Sequence, residues 1–363
     1  MIEEAEMGEE RCFRRQELEF LDTLEAALKL YLHNFSFIVF TLFTSIPLFT
    51  LLIYYEIVVH KTLYEVSGFL SETPVHWYDL DEPRSESSAT RLTRDTLPKI
   101  VQVFLLYLVP YHLLDLFSLV LTVDAASDLI DVEEEEPPAS LKHIALKALR
   151  KARFRGPFIT SLYVHSFSIC TFIGLMWVVA NHQVLLRVGF SYLFSNLYFS
   201  PRRGYLEEVL LGLVHGVAFV ALLAKYMDWS AEWNMGLVVS ILEDSYGSEA
   251  MEVSAYLSKG NGKKGAFLML VFFLWGLCLR LPCLYGKCSE RNGGVLVISV
   301  VMGLVCVGNV LKWITCLLYF NECKKGVMEK KFDEEEGKSV VQAMMVQEKM
   351  RGAQSEAEAV GSA

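Results

Sequence analysis

The sequence has few of the signals that announce a reaction. No G-x-S-x-G elbow and no H-E-x-x-H box occurs, which removes two common hydrolase signatures. Its 8 cysteines include no paired C-x2-C, so there is no zinc knuckle. Basic charge is not in excess: 33 Lys and Arg stand against 43 Asp and Glu, a net charge of −10, and nothing points to nucleic-acid binding. The first 33 residues have no short apolar core followed by small residues, so no cleavable signal peptide is expected. The string GNGKKG, Gly260 to Gly265, is not read as a nucleotide loop. Its glycines have the wrong spacing for a phosphate loop, no Ser or Thr follows Lys264, and no strand is expected before it.

What the sequence does have is long apolar runs. A bilayer core about 30 Å thick takes roughly 20 apolar helical residues to cross. Six stretches meet or approach this: residues 35–55, 100–123, 158–180, 209–227, 266–285 and 295–320. Helices are the expected form, because a chain in lipid must satisfy its backbone hydrogen bonds within the segment. The fourth run is expected to continue as one helix toward Leu242. The fold class is therefore all-α: a polytopic membrane helical bundle of about six transmembrane helices plus cytosolic amphipathic helices. Residues 1–33 form an N-terminal tail, 34–320 the membrane domain, and 321–363 a largely disordered tail with weak helical character.

Basic residues choose the inside face of a membrane. Arg11, Arg14, Arg15 and Lys29 precede span one; six Lys and Arg lie between Lys142 and Arg155; Lys225, Lys259, Lys263 and Lys264 surround the fourth connection; Lys324 and Lys325 follow span six. This predicts both termini in the cytosol and an integral protein of the plasma membrane or an endomembrane. Three segments on that side read as surface helices. Glu17 to Leu32 spaces Leu21, Leu24, Leu28 and Tyr31 on one face. Ser140 to Arg155 sets a basic strip beside Leu141, Ile144, Ala148 and Ala152; it can attract anionic lipid from the bilayer or pack on its neighbours. The third begins near Val238, breaks at Gly247, resumes over Ser248 to Leu257 and stops at Gly260, with Lys259 at the negative end of the helix dipole.

This third segment carries a pattern, W-x(4)-V-V-S-I-L-E-x(3)-G-x(2)-A-M-x(2)-S-x(2)-L-x-K-G, formed by Val238, Val239, Ser240, Leu242, Glu243, Gly247, Ala250, Ser254, Leu257, Lys259 and Gly260. It resembles the signature of a plant family of uncharacterised six-span integral membrane proteins. The stretch Glu17 to Ile38 is similar to that family's start, so the resemblance covers most of the chain. A looser form occurs in the membrane domain joined to some bacterial glycerophosphodiester phosphodiesterases, whose catalytic barrel this sequence lacks. The resemblance implies a six-helix fold and no established reaction.

Ionisable residues at bilayer depth are expensive and so become functional candidates. His112 and Asp115 share a face of span two, His165 lies in span three and His215 in span four. If these spans pack together, the four form a proton relay or a metal site; alternatively they hydrogen-bond between helices. Glu56 and Lys312 are read as lying nearer the ends of their spans, with Lys312 snorkelling or pairing internally. Pro47 and Pro110 fall within spans, and Gly212 and Gly216 form a small-x3-small pair that favours close helix approach. Cys283 and Cys288 can join as a disulfide in an oxidising compartment. The leading reading is a non-enzymatic membrane scaffold or interaction protein with membrane-protein partners and no cofactor. A small-solute or ion transporter using the His and Asp residues is the alternative, and a lipid-modifying enzyme comes third.

Overall fold

The computed structural model describes the backbone of residues 20–72, 97–132, 154–195, 201–285 and 293–361, with side chains at 20–65, 97–130, 154–182, 209–283 and 293–329. The elements run α1 (20–33), α2 (Phe35–Glu72), α3 (Leu97–Leu106), a π turn (Tyr107–Tyr111), α4 (His112–Val132), α5 (Arg155–Ser195), α6 (Pro201–Leu242), α7 (Ser248–Ser258), α8 (Gly262–Tyr285) and α9 (Gly294–Gly361). Among the described residues there is no strand. Six helical stretches are long and apolar enough to cross a membrane: Phe35–Glu65, Leu97–Ile130, Arg155–His182, Val209–Leu242, Gly262–Cys283 and Gly294–Glu329. The protein is an all-α membrane bundle, and the fourth span does run unbroken to Leu242.

The helices outrun the apolar runs that predict them. α2 continues from the expected end near Tyr55 to Glu72, and α9 from near Phe320 to Gly361. Hydropathy reports the thickness of hydrocarbon, whereas a helix continues for as long as its residues favour it. The sequence beyond Phe320 is rich in Glu, Lys, Gln, Met and Ala, all strong helix formers. The basic segment expected over Ser140 to Arg155 lies outside the described residues, save its last two positions.

α1 and the foot of the sixth apolar stretch lie at one end of the bundle. Contacts agree: Thr23 Oγ1 in α1 donates to Glu322 Oε2 near the end of span six, at 3.4 Å, and Phe20 stacks on Phe267 of α8 with ring centroids 5.8 Å apart. We call this the terminal side. The main core lies toward it, where α1, α4, α6, α8 and α9 bury Ala27, Val120, Met235, Val238, Leu268, Ile314 and Leu317. A second cluster joins α2, α8 and α9 farther up, around Leu48, Ile298 and Met302. Trp177, Phe172, Leu210 and Leu213 point outward, where lipid tails would meet them.

α1 is helical as expected but turned on its axis. Thr23, Ala27, Leu30 and Tyr31 face inward, while Leu21, Leu28 and Leu32 stay exposed. The spacing of three and four fits two adjacent stripes, and the inward one follows the smaller residues Thr23 and Ala27, which let α1 sit close to the bundle.

The close approaches between helices also fall on other glycines than Gly212 and Gly216. A Cβ at Gly212 would stand 3.8 Å from the His182 ring, and one at Gly216 would meet nothing within 4 Å. A Cβ at Gly308 would fall 2.5 Å from Trp275 Nε1, and one at Gly265 would fall 2.8 Å from Tyr319 Oη and 3.0 Å from Ala231 Cβ. Tyr319 is buried and its hydroxyl donates to the Asn261 carbonyl at 2.9 Å, so it has little freedom to retreat. Gly265→Ala is therefore expected to lower stability by about 1–3 kcal/mol through overpacking. Gly262→Ala, in open space three residues earlier, is the matched control. Thermal unfolding of the two variants in one detergent checks the difference.

Candidate functional site

Pro110 sets the geometry of the second span. It has no N–H to return to the preceding turn, and its ring crowds that turn's carbonyl. The helix answers by widening into the π turn at Tyr107–Tyr111 and then resumes its α form at His112. Such bulges accompany functional sites often enough to direct attention there. The consequence is an aromatic ladder. Tyr107 and Tyr111 stack at 5.1 Å, Tyr55 of α2 lies 6.2 and 6.4 Å from them, and Tyr107 stacks on His165 of α5 at 5.4 Å.

Below the ladder is a chamber of about 230 Å³ between the π turn, α4, α5, α6 and α9. Its walls include His112, Asp115, His165, Trp233, Asn234 and Lys312. The His112 and His165 rings are 4.6 Å apart. Ser161 Oγ donates to the Phe158 carbonyl at 2.8 Å and lies 3.2 Å from His112 Nε2. The Ser161–His112 contact thus joins α5 to α4. Asn309 Nδ2 donates to Asp115 Oδ1 at 2.8 Å and so joins α9 to α4. His165 Nε2 and the indole Nε1 of Trp313, both shielded from solvent, have no hydrogen-bond partner among the described residues. Trp313 itself is only 3% exposed.

Three of the four residues singled out from sequence thus come together: His112, Asp115 and His165. His215 does not join them. It stands 11 residues before Tyr226 on α6, about 16 Å along the helix at 1.5 Å per residue. There it pairs with His182 of α5, ring centroids 5.2 Å apart, and its Nδ1 meets the Leu211 carbonyl at 2.9 Å. The expected set of one Asp and three His is therefore split. Among the described residues no group of three or more His, Cys, Asp or Glu is placed to hold a metal ion.

Lys312 was expected nearer a span end; it stands eight residues, about 12 Å, before Phe320, where the apolar run gives way to charge. It lies ten residues before Glu322, about 15 Å deep. Its ammonium rests 3.9 Å from the Trp313 ring centroid and pairs with no acid among the described residues. Asn309 and Lys312 share a face of α9 just as His112 and Asp115 share one of α4. That i, i+3 coincidence of polar groups in apolar helices was the available sequence signal. Tyr111 and Lys312 also line a neighbouring cavity of about 180 Å³ against α8, so these two side chains stand between two spaces. Glu56 and His60 make a separate buried pair, 3.4 Å apart, on the upper part of α2.

The signature segment is a structural elbow. α6 ends at Leu242, and α7 opens at Gly247, whose φ of +66° suits glycine. The Gly247 N–H donates to Thr160 Oγ1 of α5 at 2.8 Å. α7 ends at Lys259, followed by Gly260 at φ +103°. Ala250, Ser254 and Leu257 are buried, Lys259 is exposed, and Glu243 receives Lys324 of α9 at 2.9 Å. The letters of Gly260, Gly262 and Gly265 do spell G-x-G-x-x-G, but helix α7 leads into them rather than a strand, and Gly265 serves packing against Tyr319. Cys283 is buried beside Ile298 and Met302; Cys288 lies outside the described residues.

Residues 160–322 match a domain of unknown function, DUF8558. The match takes in the chamber's α5, α6 and α9 walls and the whole elbow, but not the π turn or α4. The description gives neither an activity nor a group of organisms. No curated protein and no solved structure matches the chain.

Proposed function

We propose that the protein is a membrane carrier for a small polar solute, with the chamber as its solute site. The observation that carries the proposal is the siting of Asp115, Lys312, His112 and His165 around one space at mid-membrane depth. Charged groups there are expensive and persist where they line a pathway or a site. A bundle built only to hold partners has no need of an intramembrane ammonium. At about 230 Å³ the chamber is smaller than the roughly 300–1,000 Å³ typical of drug-sized ligands, which favours small solutes. Tyr111 and Lys312 stand between it and a second space, which makes them the candidate gate.

The orientation belongs to the same reading. Lys259, Lys263, Lys264, Lys324 and Lys325 all lie on the terminal side, and this excess favours both termini in the cytosol. A second role on that face, contact with anionic lipid or membrane-protein partners, is supported by the exposed Leu21, Leu28 and Leu32 of α1.

The test is reconstitution. Purified protein in liposomes should accelerate entry of at least one labelled solute from a panel of amino acids, organic cations, organic anions and sugars, with saturation. Rates equal to those of protein-free vesicles across the panel would contradict the carrier reading.

A further inference from the structure

We propose that the chamber takes a zwitterion, a small molecule with one ammonium and one carboxylate a few bonds apart. The inference rests on the chamber being a solute site and names the class of solute. Among the lining residues two carry fixed charge, Asp115 and Lys312. They are not each other's partner. Among the described residues no Asp or Glu oxygen lies within 4.0 Å of Lys312 Nζ, although both side chains reach the same space. Asp115 has one oxygen held by Asn309, which fixes the carboxylate in place.

Two opposite charges drawn out of water ordinarily close on one another, because direct pairing offsets their lost hydration. Here each is held back by its own neighbour, Asp115 by an amide and Lys312 by an indole face, and a gap remains between them. A lone anion in that gap would gain Lys312 and oppose Asp115. A lone cation would do the reverse. A zwitterion lying head to tail satisfies both and adds no net charge to the membrane interior.

The remaining walls suit the ammonium and the apolar part of the solute. Tyr107, Tyr226 and Trp233 supply aromatic faces, which attract an ammonium as well as the apolar part of the solute. The volume limits that part to a small side group.

Binding to the full-length protein in lipid nanodiscs, measured by calorimetry, tests this. The probes are glycine, alanine, serine, β-alanine and γ-aminobutyrate, each with its methyl ester, which lacks the carboxylate, and its N-acetyl derivative, which lacks the ammonium. Simple organic cations, organic anions and sugars complete the panel. At least one zwitterion should bind, and its ester and N-acetyl forms should each bind at least tenfold more weakly. In Lys312→Gln the penalty for the ester should shrink, and in Asp115→Asn the penalty for the N-acetyl form should shrink. The comparison within the unaltered protein does not depend on how well the variants fold. An ester or N-acetyl form that binds as well as its parent would overturn the zwitterion class, as would binding of a simple ion or sugar alone; the solute site would then stand with a different ligand. Failure of the whole panel to bind would overturn both readings.

Discussion

Asp115→Asn is expected to cut solute flux by about 10–100-fold while leaving the thermal unfolding midpoint nearly unchanged. The asparagine oxygen still accepts from Asn309, so the α4–α9 bridge survives. What is lost is the charge, and a hydrogen bond to a charged group contributes roughly 1.5–3 kcal/mol, or about one to two decades in affinity. Flux and unfolding measured on the same preparation separate the two roles of this residue. Were Asp115 only an interhelical bridge, the asparagine variant would transport like the parent, and only Asp115→Leu would matter, through stability.

Glu322→Ala is expected to destabilise the fold by about 1–3 kcal/mol. Lys264 enters the bundle at the foot of α8 with its side chain 5% exposed, and its Nζ meets Glu322 Oε1 at 2.5 Å. Stripping one partner from a fully buried pair costs about 3–5 kcal/mol because a charge is left enclosed. Glu322 is 49% exposed, so water can reach the orphaned ammonium and the cost is reduced. The variant also removes the Thr23 Oγ1–Glu322 hydrogen bond that ties α1 to α9. A Lys264→Met, Glu322→Leu pair should recover most of the loss, since no charge then remains to be solvated. The nearby Lys324–Glu243 bridge, with side chains 40% and 29% exposed, should yield under about 1 kcal/mol when broken. Unfolding midpoints of the single and double variants decide the point. A double variant as unstable as Glu322→Ala would show that the ion pair is not the cause.

Much of this architecture is legible in the residues, for identifiable reasons. A bilayer filters sequences so strongly that apolar length alone locates the six spans. Gly247 and Gly260 announced the elbow because their backbone angles exclude most other residues. The rotation of each helix was not legible. A span that is apolar on every side carries no periodic mark of its inward face. Depth was not compared between spans either, so His215 was grouped with His112 and His165 although α6 sets it about 16 Å away along its axis, beside His182. α1 went astray similarly, through two candidate stripes about a quarter turn apart that share Tyr31. Lys312 was read by its place along the apolar run alone; its rest against the Trp313 ring was not legible there. Tyr107 and Tyr111 looked like ordinary apolar residues; only Pro110, by widening the helix, makes them a wall.

The central claim is that polar solutes reach the space around Asp115 and Lys312. Thiol accessibility tests it most directly. Ser168 and Ser230 line the chamber from α5 and α6, whereas Cys316 is buried on the span that also carries Lys312. In sealed vesicles of full-length protein, Ser168→Cys and Ser230→Cys should react with a small hydrophilic thiol reagent, read peptide by peptide in the mass spectrometer, and a transported solute should slow the reaction. Cys316 should stay unlabelled. If both introduced cysteines are as protected as Cys316, whichever side of the membrane the reagent is on, the chamber is closed packing and the carrier account is wrong.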